Sequence, residues 1–103
     1  MTRVRNIIND RNRAVANQFI LFDDDRTIFQ SYDSTIIVLL DSKNEMYIYP
    51  DYDYSMTTGR YRNMFLRDWG FPDLDTLKEL NKAIKSGIAT DDNGNEWKVY
   101  TAF

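Results

Sequence analysis

Between residues 17 and 50, short runs of β-branched and aromatic residues alternate with tight clusters of turn formers, and few arrangements other than an antiparallel meander accommodate that spacing. A first strand is expected over residues 17–22, followed by a turn at Asp23-Asp24-Asp25. A second over 26–32 puts Ile28 and Tyr32 on one face and Phe29 on the other. The third, over 35–40, is apolar on both faces and so belongs at the centre of the sheet. After Asp41-Ser42-Lys43-Asn44, a fourth strand over 45–49 stops at Pro50, which has no N–H to give to a ladder.

From Ser55 the period changes from two to between three and four. Ser55 is a good N-cap for a helix to residue 69, in which Tyr61, Met64, Phe65 and Trp69 form an apolar stripe for the sheet, with Arg60, Asn63 and Arg67 on another face. Gly70 stops this helix and Phe71-Pro72 redirects the chain. Asp73 or Asp75 is expected to cap a second helix whose stripe is Leu74, Leu77, Leu80 and Ile84, ended by Gly87. Residues 88–90 and 96–100 then flank Asp91-Asp92-Asn93-Gly94-Asn95, where Asn-Gly favours a tight hairpin. The expected fold is α+β: a four-stranded antiparallel meander, two helices packed on one face, and a C-terminal β-hairpin extending or flanking the sheet.

Charge divides the chain. Arg3, Arg5, Arg11 and Arg13 face only Asp10 in residues 1–14, giving a basic arm of +3, while nine basic and fifteen acidic side chains leave the rest at −6. Residues 1–14 therefore read as an arm ahead of a single domain over 15–103, either solvated, docked on its own acidic body, or touching nucleic acid or an acidic patch on a partner.

Cysteine and histidine are both absent, which removes thiolate chemistry, the usual zinc ligands and every serine–histidine or cysteine–histidine nucleophile system. Only carboxylates could hold a metal, and then a hard cation. Asp23-Asp24-Asp25 fits a solvated hairpin tip better than a metal site, and Asp91–Asn95 lacks the alternating oxygens and closing glutamate of a calcium loop. No metal, no cofactor and no enzymatic activity are expected. The longest apolar run, residues 36–40, is far too short to cross a bilayer, and residues 1–15 have no secretory core, so a cytoplasmic location is expected.

The densest chemistry lies in residues 51–69. If the chain stays extended, Asp51-Tyr52-Asp53-Tyr54 puts both tyrosines on one side and both aspartates on the other. Thr57-Thr58-Gly59 opens the helix, where free amides attract anions. Tyrosine and arginine are the side chains that protein interfaces favour. Tyr52, Tyr54, Arg60, Arg62 and Arg67 are accordingly the candidate partner contacts, with Asp51 and Asp53 as acidic supports. The alternative is direct nucleic-acid binding through the arginine arm and aromatic stacking, against which stands a net charge of −3.

Two segments also carry a resemblance. Phe29-Gln30-Ser31-Tyr32-Asp33-Ser34 and the stretch from Asp53 through Tyr54-Ser55-Met56-Thr57-Thr58-Gly59 to Leu66 resemble the signature FQSYxS, then YSxTTxxYxxxFL, of a family of small phage and prophage proteins of unknown function. A later Ile84-Lys85-Ser86-Gly87 is similar to its IKSG element, and the match covers about residues 15–88. The chain differs from that pattern in a longer connection over residues 67–81 and in its aromatic C-terminal hairpin. The resemblance implies a phage origin and, with it, an accessory protein that works in the cytoplasm of the host cell. Proteins of that size and source include host-takeover and anti-defence factors, among them CRISPR inhibitors. The expected function is non-enzymatic: binding and inhibiting a host defence or nucleic-acid-processing protein such as a defence nuclease.

Overall fold

The structure, a computed structural model, describes residues 2–103. Seven strands form one sheet: β1 (Arg3–Ile8), β2 (Ala14–Phe22), β3 (Arg26–Ser31), β4 (Ser34–Leu40), β5 (Glu45–Ile48), β6 (Ile88–Thr90) and β7 (Glu96–Thr101). Their order is β1-β2-β3-β4-β5-β7-β6. Every neighbouring pair is antiparallel except β5 and β7, which are parallel. Helices α1 (Met56–Asp68) and α2 (Leu77–Ser86) lie between β5 and β6 in the chain, and β6, antiparallel to β7, carries the chain back so that β7 can run parallel to β5.

The expected meander is present as β2 to β5, and the α+β class holds, but the sheet is larger than four strands and mixed. Part of the difference lies in residues 1–14. Residues 3–8 of that stretch are edge strand β1, paired to β2 from Arg3–Phe22 to Ile8–Ala14 with a bulge between Asn6 and Ile8. The arginines hid it. Arg3 and Arg5 fall on the helix-covered side of the sheet, where their guanidinium carbons lie 6.0 Å from the centre of the Phe22 ring and 5.6 Å from that of Trp69. A side chain that covers apolar surface with its stem and rests its charge on a ring acts as a core-facing residue, although composition counts it as polar. The C-terminal hairpin joins the same sheet through β7.

One core fills the space between the sheet and the two helices. Ile7, Ile20, Phe29, Ile37, Leu39, Met46, Ile48 and Val99 come from the strands, and Tyr61, Phe65, Leu66, Leu80 and Ala83 from α1 and α2. Phe29 stacks on Phe65 at 5.6 Å, and Phe71 meets Trp97 edge-on at 5.2 Å. Of the expected stripes, Tyr61, Phe65 and Leu80 are buried, whereas Met64, Trp69 and Ile84 are half-buried against the core.

Local capping follows the sequence at α1 and departs from it at α2. Ser55 Oγ accepts from the Thr58 amide at 3.1 Å. Neither Asp73 nor Asp75 caps α2. A 3₁₀ turn at Pro72–Leu74 uses up one extra turn of chain, and Thr76 is the cap, accepting from the Glu79 amide at 3.2 Å. Gly87 ends α2 in the left-handed conformation, φ 77°. The C-terminal hairpin is a five-residue loop built on Asp91, whose carboxylate accepts from the Asn93 and Asn95 amides and from Trp97 Nε1, each at 2.9 Å. Gly94 takes a positive φ there.

Asp23 does similar work at the β2–β3 turn. Its Oδ1 accepts from the Asp25 and Arg26 amides at 3.0 and 2.8 Å, and its Oδ2 accepts from Arg26 NH2 at 3.1 Å. These amides, before the guanidinium itself, hold the carboxyl at about 2 against an ordinary 3.8. Because folding depresses this value, Asp23 stabilises the turn fully above the ordinary carboxylate range and loses that contribution as pH falls towards 2. Asp23→Asn is therefore expected to flatten the acid limb of the stability curve between about pH 4 and pH 2. Chemical denaturation across that range checks it, and an unchanged limb would remove Asp23 from the account.

Candidate binding groove

Chain reversal between β3 and β4 takes only two residues, Tyr32 and Asp33, with Ser31 paired to Ser34. Tyr32 carries φ 54°, in the left-handed region that bulky residues avoid. Two hydrogen bonds hold it there. Its amide donates to the Asn17 carbonyl at 2.7 Å, and its carbonyl accepts from Gln30 Nε2 at 2.8 Å. The side chain stays about half in solvent, Tyr32 being 48% exposed.

The start of α1 docks against this turn through hydroxyls. Ser55 Oγ donates to Thr58 Oγ1 at 3.2 Å, which leaves the Thr58 hydroxyl free to donate to Ser31 Oγ, 2.9 Å away and buried. Ser34 Oγ donates to Asp51 Oδ2 at 2.9 Å, tying β4 to the segment ahead of the helix. Between the two elements lies a groove of about 610 Å³. Its floor is Ser31, Ile36 and Thr58, its walls include Ser34, Asp51, Ser55 and Thr57, and Tyr32, Asp33 and Tyr54 line its rim. Tyr54 is 72% exposed, and Met56, at the first position of the helix, is 94% exposed.

The seven residues expected to contact a partner have different fates. Residues 51–53 belong to a 3₁₀ turn, Pro50–Asp53, so the expected alternation of tyrosines and aspartates does not occur. Pro50 is the reason: it opens the turn with its fixed φ. Tyr52 is half-buried, packs beside Phe103 at 6.2 Å between ring centres, and donates its hydroxyl to Asn81 Oδ1 at 3.0 Å. Tyr54 and Asp51 line the groove. Arg60 is exposed, one turn beyond Met56 and 5.6 Å from the Tyr61 ring centre, and exposed Arg67 follows two turns on, 3.4 Å from Asp68.

Arg62 is not a surface residue: it is only 2% exposed. Its NH1 donates to the Tyr52 carbonyl, while Nε and NH2 donate to Asn63 Oδ1 at 3.2 and 2.9 Å. Asp53, itself exposed, is 4.0 Å away. Burial pushes the guanidinium pKa down, and the neighbouring Asp53 and Tyr52 oppose that shift. The fork thus clamps the 3₁₀ turn onto α1. Arg62 was a candidate contact by residue type, which cannot show a carbonyl waiting across the turn.

Tyr32, Asp33 and Met56 were missing from the candidate contacts. The signal for the first two was present, because the two halves of the signature, Ser31-Tyr32-Asp33-Ser34 and Tyr54-Ser55-Met56-Thr57-Thr58, meet face to face across the groove. Among the described residues no three acidic side chains converge as a metal site would require. Beside the hydroxyl knot, Gln18 on β2 is paired with Ser31 and buried, with neither amide atom hydrogen-bonded to the protein.

Two outcomes follow from this geometry. Arg62→Ala should cost about 2–4 kcal/mol of stability, because it empties a packed site and strands the Tyr52 carbonyl; a loss under about 1 kcal/mol in urea denaturation would mean that the clamp is dispensable. Tyr32→Gly should raise stability by about 0.5–1 kcal/mol by relieving the left-handed strain. A fall in melting temperature would instead mean that the exposed ring is structural.

Compared with known proteins, residues 2–87 match the family of unknown function DUF8033. Neither a curated protein nor a solved structure matches the chain.

Proposed function

The chain belongs to this family of unknown function, so no relative supplies an activity, and we propose from the geometry that it is a non-enzymatic protein-binding factor working through the groove at the start of α1. The observation that carries this reading is the trio Tyr32, Tyr54 and Met56: two exposed tyrosines on the rim of a polar groove whose floor is tied down by buried hydrogen bonds, and an exposed methionine next in the chain to groove-lining Ser55 and Thr57. Exposed aromatic and methionine side chains on a rigid base are what a partner's core would cover, and the backbone that carries them is already ordered by the fold. Tyr32 adds a second argument. A left-handed tyrosine left half in solvent has a backbone cost that burial offsets only in part, and such costs cluster at functional sites.

Asp33 and Asp51 beside the trio, and Arg60 and Arg67 along the exposed face of α1, give the surface both signs of charge. That mixture suits a protein surface better than a phosphate backbone. Arg3 and Arg5 lie against aromatic rings of the same chain, Arg26 is paired with Asp23, and Arg62 is buried, so the nucleic-acid alternative draws little support. The resemblance of both groove-lining segments to a phage signature supports a bacterial defence or nucleic-acid-processing protein as the partner, bound by occlusion of its surface.

Pull-down from a bacterial host lysate tests the reading. Wild-type protein should retain a small set of partners, and Tyr54→Ala and Arg60→Ala should each reduce that capture about tenfold or more, as loss of an interface anchor does, with unchanged thermal melting. A captured set indifferent to both substitutions sinks the assignment.

A further inference from the structure

Both helices cover the same face of the sheet, and the strand register fixes what the other face carries. Residues directly opposite each other in neighbouring strands project to the same side. The pairings Val4–Leu21, Leu21–Ile28, Ile28–Val38, Val38–Tyr47 and Tyr47–Tyr100 therefore make one continuous row across β1, β2, β3, β4, β5 and β7. The rings of Tyr47 and Tyr100 stack on that side, 5.2 Å apart. None of the six packs under the helices: the two ends of the row, Val4 and Tyr100, are 61% and 39% exposed, Leu21, Ile28 and Tyr47 are half-buried, and Val38 at the centre is buried among its sheet neighbours. A second row, Asn6, Phe19, Gln30 and Thr35, extends the surface without adding a charge. An uncharged, aromatic-rich face of this extent on a chain that is 28% charged has the composition of an interface core.

The row on its other flank says what kind of partner fits. Arg26, Leu40, Glu45 and Lys98 are successive partners across β3, β4, β5 and β7. Asp23 extends the row beyond β2, joined to Arg26 by its amide and by the ion pair at 3.1 Å. Read across the sheet, the signs run negative, positive, neutral, negative, positive. About Leu40 this order is antisymmetric: Arg26 mirrors Glu45, and Asp23 mirrors Lys98. The apolar row has the corresponding property in shape. About Val38, Ile28 mirrors Tyr47 and Leu21 mirrors Tyr100, so an aliphatic half matches an aromatic half.

A two-fold axis along β4 brings each position opposite its mirror position in a second copy, which is the self-complementarity that an isologous interface requires. We propose that this open face is the interface of a homodimer, two sheets packed face to face about a two-fold axis along β4, with Arg26 of each copy opposite Glu45 of the other and Asp23 opposite Lys98. Sheets packed in this way lie about 10 Å apart, a gap that arginine, lysine and glutamate reach across. Val38 on the axis is buried among its neighbours, so the contact falls to the half-exposed Ile28 and Tyr47 on either side of it. The groove beside α1 stays outside the interface, so the dimer offers two equivalent binding sites.

Sedimentation velocity over a concentration series tests this, with circular dichroism melts confirming that each variant is folded. Wild type should shift from monomer to dimer as concentration rises. Glu45→Lys sets a lysine opposite Arg26, and Arg26→Glu sets a glutamate opposite Glu45, so each variant alone should self-associate about tenfold or more weakly. Mixed in equal amounts, the two should recover dimer, because every substituted position then meets the opposite charge. Tyr54→Ala, in the groove, should dimerise as wild type does. The proposal is overturned by a wild type that stays monomeric throughout, by variants that associate as wild type does, by a mixture that recovers nothing, or by loss of the dimer in Tyr54→Ala.

Discussion

A parallel strand pair cannot be closed by a tight turn, and β5 and β7 are parallel. Between them the chain leaves the sheet through α1 and α2 and comes back as β6, which runs antiparallel to β7 and reverses the direction before β7 is laid down. Both helices lie on one face during that excursion, and this decides where the apolar surface goes. Phe29, Ile37, Met46 and Val99 find their cover under α1 and α2, whereas Ile28, Val38 and Tyr47, their neighbours on the opposite side, are covered by no helix: Val38 is buried among its sheet neighbours, and Ile28 and Tyr47 are half-buried. The one-sided core and the position of the groove at the start of that excursion both follow from it.

The excursion begins with a difficult join. After β5 the chain has to turn out of the sheet within the few residues before Ser55, and proline at the head of a 3₁₀ turn achieves it by fixing the backbone. Arg62 and Asp51 then fasten the turn from two directions, one to α1 through the Tyr52 carbonyl and the other to β4 through Ser34. Buried hydroxyls do the remaining work. Ser31, Thr58 and Ser55 satisfy one another in the gap between strand and helix, where an apolar contact would have packed equally well but fixed orientation less sharply. Polar groups beneath a surface that has to hold its shape are consistent with the rim side chains being the ones left exposed.

Much of this was legible in the sequence where a single period or a single turn governed it. The four meander strands, both helices and the Ser55 and Gly87 caps follow from local pattern, and the structure places them within a few residues of expectation. What was not legible needed a partner distant in sequence. Arg3 and Arg5 read as an arm because the rings of Phe22 and Trp69 that receive them lie elsewhere in the chain. Arg62 read as exposed for the same reason, and Thr76 lost its capping role on paper to two aspartates that a 3₁₀ turn displaces. The candidate site was half visible: Tyr54, Arg60 and Asp51 are where a contact surface could use them, but Tyr32 and Asp33 join them only because β3 and β4 turn back beside the helix.

The bulge between Asn6 and Ile8 has a consequence for the margin of the sheet. An edge strand presents unpaired amides and carbonyls that can template another strand, and a long flat edge invites endless addition. Here one edge is β1, interrupted by the bulge, and the other is β6, only three residues long. Neither offers the regular ladder on which a further strand could register. Such edges protect a sheet-rich chain against fibrous growth by strand addition, even though one face of its sheet carries no helix.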